Sequence, residues 1–110
     1  MALDSRLSAT VGERVLFTFQ VRNAGLEPLE LTFRSGKTAD LTVHDRETGE
    51  VVWEWGAEKM FTQALRQREL APDEALEWEY EWPDPREGEF DVIATLRADQ
   101  AVEARLSLSV

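Results

Sequence analysis

From Glu74 to Trp82 the chain reads Glu-Ala-Leu-Glu-Trp-Glu-Tyr-Glu-Trp, large apolar and acidic residues taking turns. A period of two places Leu76, Trp78, Tyr80 and Trp82 on one face of a β-strand and Glu77, Glu79 and Glu81 on the other. One face is buried and the other is wet. Val15 to Arg22 repeats the pattern, with Val15, Phe17, Phe19 and Val21 inward and Thr18, Gln20 and Arg22 outward. Half-buried strands of this kind belong to antiparallel sheets that cover a core with one face.

Turn chemistry cuts the rest of the chain into strands at spacings near ten residues. A weak first strand runs from Leu3 to Val11 and a strong second one from Glu13 to Arg22. Asn23-Ala24-Gly25 and Pro28 make the next turn, because Asn and Gly tolerate left-handed backbone and Pro cannot donate to a ladder. Leu29, Leu31 and Phe33 form a third strand, and Leu41 and Val43 mark a fourth. A hairpin turn from Asp45 to Glu50 leads to a fifth strand with Val51, Trp53 and Trp55 inward, expected to pair with the fourth. Residues 60–70 read either as a strand ending in the turn Ala71-Pro72-Asp73-Glu74, the preferred reading, or as one helical turn entering a strand. The Trp78 strand follows, then the loop Pro83 to Gly88, a strand with Phe90, Val92, Ala94 and Leu96 inward, and a last strand from Val102 to Val110. The expectation is an all-β fold, an immunoglobulin-like antiparallel β-sandwich of about eight or nine strands, in one domain over residues 1–110.

Composition narrows the function. Twenty-two acidic residues against twelve basic ones give a net charge of -10, which repels nucleic acid and anionic lipid, so neither is expected as a partner. No run approaches the ~20 apolar residues of a membrane span, Met1 to Arg6 lacks the apolar stretch of a signal peptide, and there is no cysteine. A cytoplasmic location is expected. Only Lys37 and Lys59 are lysines; acidity with scarce lysine fits either a salt-rich host, where screening relieves self-repulsion, or an ordinary acidic domain.

No catalytic constellation stands out. His44, the single histidine, has outward parity, Ser35 lacks a nucleophile elbow, and the Asp45 to Glu50 turn lacks the ligand spacing of a calcium loop. No cofactor, metal site or enzymatic activity is expected. Glu77, Glu79 and Glu81 read as a solvated face, with Arg66, Arg97 and Arg105 as candidate cross-strand partners. The four tryptophans share inward parity and read as core in preference to a sugar-stacking platform. Trp82, beside Pro83, is the one expected to reach the surface.

An ordered series of segments resembles the intracellular proteinase inhibitor (BsuPI) family. It comprises Phe19-Gln20-Val21-Arg22-Asn23, Leu31-Thr32-Phe33-Arg34-Ser35-Gly36, Ala39-Asp40-Leu41-Thr42-Val43, Gly49 to Trp55, Phe61-Thr62-Gln63-Ala64-Leu65, Leu70 to Glu74, and Trp82 with Gly88-Glu89-Phe90. One departure is Asp73, where the family usually carries a glycine after the proline. The resemblance implies a β-sandwich and, as partner, an intracellular serine protease of subtilisin type. The alternative is a non-inhibitory interaction or structural module.

Strands that simply alternate up and down would deliver Val11 to Glu13, Arg34 to Ala39, Gly56 to Lys59 and Pro83 to Gly88 to one end of the sandwich. Loops at one end of a rigid scaffold are the usual place for recognition. The candidate contact residues are therefore Arg34, Ser35, Gly36, Lys37 and Thr38 first, with Lys37 offered outward to a cleft, and Pro83, Asp84, Pro85 and Arg86 second.

Overall fold

A computed structural model describes residues 3–57 and 59–110 of the 110-residue chain. The described residues hold nine strands and no helix: β1 (Leu3–Val11), β2 (Val15–Asn23), β3 (Leu29–Phe33), β4 (Ala39–Asp45), β5 (Val51–Glu54), β6 (Arg66–Leu70), β7 (Ala75–Trp82), β8 (Glu89–Leu96) and β9 (Val102–Ser109). One sheet has the order β1-β2-β7, a second β5-β4-β8-β9, and β3 and β6 form a two-stranded third. All pairings are antiparallel, and the expected antiparallel sandwich is the one that forms.

Parity decides what the sheets bury. In β2, Val15, Phe17, Phe19 and Val21 have no exposed surface, and across from them Leu41, Val43, Val92, Ala94 and Leu96 have none either. Aromatic rings join the layers. Phe19 stacks on Trp78 at 5.4 Å, Phe17 on Trp53 at 6.5 Å, Trp53 on Trp82 at 6.2 Å, and Trp82 meets Phe90 edge-on at 5.2 Å. Such pairs add ~1 kcal/mol each beyond the area they bury. The core reading of the tryptophans holds, with one correction: Trp82 is 4% exposed, because Phe90 and Trp53 close over it, and Trp53, Trp55 and Trp78 are the partly exposed ones.

Three local expectations also change. Residues 60–65 have no regular structure, and the strand begins at Arg66. Asn23 ends β2 fully buried: its amide donates to the carbonyls of Glu27 and Leu70 at 2.8 and 2.9 Å, and its Oδ1 accepts from Gly25 N at 2.9 Å. It locks the β2–β3 turn onto β6, so left-handed backbone is not its role. The acidic face of β7 finds Arg14, which pairs with Glu81, where Arg66, Arg97 and Arg105 were the candidates.

Simple alternation of direction fails as well. Ala39 pairs with Leu96 and Asp45 with Phe90, so residues 34–38 enter β4 at the end where β8 leaves, while 83–88 lead into β8 at the opposite end. The two candidate loops do not share an end of the sandwich. β3 is continued by β4 in the same sense, and a break without a reversal shifts the up-down count by one.

Candidate functional site

The continuation of β3 into β4 can be followed bond by bond. Ala39 faces Leu96, Arg97 N donates to Thr38 O at 2.8 Å, Phe33 bridges to Ala98, and Asp99 N donates to Thr32 O at 2.9 Å. Residues 97–99 thus pair first with Thr38 and next with Phe33 and Thr32, and 34–37 leave the ladder as an excursion. The neighbouring strand does the same. Glu54 faces Thr42, Trp55 N donates to Leu41 O at 3.0 Å, and the ladder resumes where Arg66 faces Phe33. Residues 56–65 form the second excursion; Glu58, within the predicted 56–59 connection, lies outside the described residues.

The two excursions dock on each other. Gly36 N donates to Thr62 O at 2.8 Å, and a Cβ on Gly36 would lie 2.8 Å from Thr62 Oγ1, so no larger residue fits without displacing Thr62. Gly56 is buried, and a Cβ there would stand 2.8 Å from Lys37 Cε and 2.9 Å from Asp40 Oδ2. Glycine at both positions is a matter of close approach.

Asp40 ties the bases together. Its carboxylate is 2% exposed; Oδ1 accepts from Leu41 N at 2.8 Å and from Gly56 N at 3.0 Å, and Oδ2 lies 2.6 Å from Lys37 Nζ. Lys37 therefore turns inward, with 24% of its side chain exposed and its ammonium 5.7 Å from the centre of the Phe61 ring. The expectation that Lys37 is offered outward is not met, because a buried carboxylate needs a counter-charge. Tyr80 packs edge-on against Trp55 at 4.9 Å; burial, with the nearby Asp40 charge second, pushes its phenol well above the usual range.

The remaining candidates are also placed. Arg34 is exposed and grips Asp99 through two hydrogen bonds, Nε to Oδ1 at 2.8 Å and Nη2 to Oδ2 at 3.0 Å, which hold the Asp99 carboxyl below its ordinary range. Ser35 Oγ accepts from Lys37 N at 3.1 Å, and Thr38 Oγ1 accepts from Trp78 Nε1 at 3.0 Å. Pro83, Asp84 and Arg86 are exposed and Pro85 half-buried. Arg86 meets Asp45 at 3.2 Å and lies over the Phe90 ring, so this loop joins the Asp45–Glu50 turn.

The most exposed part of the docked pair was not among the predicted contacts. Met60 is 98% exposed and Leu65 61%, and Thr62, Gln63 and Ala64 between them are exposed too. Phe61 alone turns in, 5.9 Å from Trp55, whose ring also receives Lys59 Nζ at 4.9 Å. Phe61 and Leu65 share strand parity and are also four apart, so the sequence leaves strand and helical turn open, and only the position of the ladder break shows that the segment is neither.

Solved structures share the fold at low identity. The chain aligns over 99% of its length with a penta-heme cytochrome c552 from Thermochromatium tepidum, at 14% identity and a TM-score of 0.59, covering 40% of that protein. A putative beta-galactosidase from Bacteroides fragilis matches over 99% of the chain at 18% identity and a TM-score of 0.51, and 16% of that enzyme is covered. The likeness extends to the sandwich alone, since the chain spans well under half of either relative. No curated protein matches it in sequence. The sequence model of the intracellular proteinase inhibitors (BsuPI) matches residues 3–101, nearly the whole sandwich and both excursions. The chain belongs to that family.

Proposed function

We propose that this domain inhibits a subtilisin-like serine protease in the cytoplasm, as a stoichiometric ligand and not as an enzyme, and that it meets the protease through the surface built by residues 34–38 and 56–65. Family membership supports the inhibitory role. The observation that carries the choice of surface is the docking of the excursions, Gly36 N on Thr62 O above a buried Asp40 that accepts from Gly56 N. An inhibitor gains affinity when its contact loop is already ordered, because the entropy of ordering is then met in folding. In a domain without cysteine, a buried carboxylate and a loop-to-loop hydrogen bond supply that order. Lys37 and Gly36 support the contact from below, and Pro83 to Arg86 stand apart from it.

Titration of a subtilisin-like protease with the purified domain tests the reading. Loss of peptidase activity should be complete near one equivalent. Full activity at micromolar domain would leave the non-inhibitory interaction module as the better account.

A further inference from the structure

Within the docked pair, the two excursions differ in what they can offer to a cleft. The shorter one is spent internally: Arg34 on Asp99, Ser35 on Lys37 N, Gly36 on Thr62, Lys37 on Asp40. The longer one has the opposite character. From Lys59 to Leu65 it has no helix, turn or strand partner, none of its residues has positive φ, and among the described residues its one backbone bond beyond its own start is the Thr62 carbonyl accepting from Gly36. Its backbone is otherwise free to pair with another chain, which is how an extended segment is held in a protease cleft.

Resting on the inhibitor reading, we infer that residues 59–65 are the segment that enters the protease cleft and that Met60 fills its primary specificity pocket. Met60 is unbranched, apolar and 98% exposed, a side chain with nothing to hold in its own fold and a shape that suits a deep apolar pocket. The next residue has the complementary property. Phe61 is anchored against Trp55 and beneath Lys37, and Thr62 is fastened to Gly36, so the backbone just after Met60 is fixed while the Met60 side chain projects. An anchored neighbour also keeps the segment on the domain if the bond after Met60 is slowly cut, which is what separates an inhibitor from a substrate. The partner is thus a serine protease whose primary pocket takes a large apolar residue that is not branched at Cβ.

Subtilisin serves as the probe, with inhibition constants measured for the wild type, Met60→Leu, Met60→Asp and Leu26→Asp. Leu26 is 97% exposed in the β2–β3 turn, so its substitution introduces the same charge away from the segment. Met60→Leu and Leu26→Asp should inhibit as the wild type does, whereas Met60→Asp should weaken inhibition on the order of 100-fold, the consequence of forcing a charge into an apolar pocket. Each variant should melt as the wild type does. Binding should also weaken when the catalytic serine carries a benzylsulfonyl group that occupies the pocket. Inhibition by the wild type that persists undiminished in Met60→Asp, or binding indifferent to the blocked pocket, overturns the assignment of the segment and leaves the inhibitor reading standing. Absence of inhibition by the wild type overturns both.

Discussion

Lys37 Nζ lies 2.6 Å from Asp40 Oδ2 across the base of the two excursions. The carboxylate is buried and the ammonium mostly so, and a buried charge stripped of its partner is far more costly than the pair is favourable. Lys37→Ala should therefore destabilise the domain by about 2–3 kcal/mol in denaturant unfolding, less than the loss of a fully buried partner because Lys37 keeps some exposure. Lys37→Met with Asp40→Asn should recover much of that. Additive losses in the double variant would show that the pair is not coupled.

A second expectation concerns alkaline pH. The Tyr80 hydroxyl is buried without a hydrogen-bond partner among the described residues, and its phenol is pushed up by burial and, second, by Asp40. Since the folded state holds the proton more tightly than the unfolded chain, stability is level below the unfolded value near ~10 and falls above it by about 1.4 kcal/mol per pH unit. Tyr80→Phe should remove that fall, and at neutral pH it should cost nothing or add about 1 kcal/mol, because an unsatisfied hydroxyl is taken out of the core. Melting temperatures of the two proteins from pH 8 to 11 decide it.

Asp73 adopts φ 67°, the one non-glycine residue with positive φ among those described. The glycine that the family usually carries at this place has a physical reason: the turn requires left-handed backbone. Arg22 holds the aspartate at 2.9 Å, but both groups are exposed and such pairs contribute little. Asp73→Gly should be neutral to stabilising by about 0.5–1 kcal/mol, and Asp73→Val destabilising by about 1–2 kcal/mol. Equal stabilities for the glycine and valine variants would count against a strained turn.

Salt should raise stability if the acidity answers a salt-rich host. With a net charge of -10 and an exposed carboxylate row at Glu77, Glu79 and Glu81, screening relieves more repulsion than it removes attraction from surface pairs such as Arg46 with Glu89, each worth ~0–1 kcal/mol. The melting temperature should climb between low and molar potassium chloride. A flat profile leaves an ordinary acidic domain.

The strands were legible because each has one wet and one dry face, and a two-residue period survives in Phe17-Thr18-Phe19 or Trp78-Glu79-Tyr80 whatever the topology. Direction was not legible. Arg34-Ser35-Gly36-Lys37 has the composition of a reversal, yet Phe33 and Thr38 meet consecutive residues of one opposing strand, and local composition cannot distinguish a turn from an excursion. Lys37 misleads for a related reason. Its inward course depends on Asp40, which alternation with Ala39 and Leu41 would send to solvent and which is buried because Gly56 covers it. Residues 60–70 read either as a strand or as one helical turn entering a strand, because apolar residues at a ladder break carry no mark of the break.

The ladder that runs past both excursions separates two problems that a hairpin loop would join. In a hairpin, lengthening the connection alters the register of the strands it connects. Here register is set by Arg97 and Ala98 against Thr38 and Phe33 at the shorter excursion, and by Trp55 against Leu41 and Arg66 against Phe33 at the longer one, whatever the chain does between. The segment from 59 to 65 can accordingly gain, lose or exchange residues while the sandwich keeps its pairing, so the exposed surface there can be revised without refolding the scaffold beneath it.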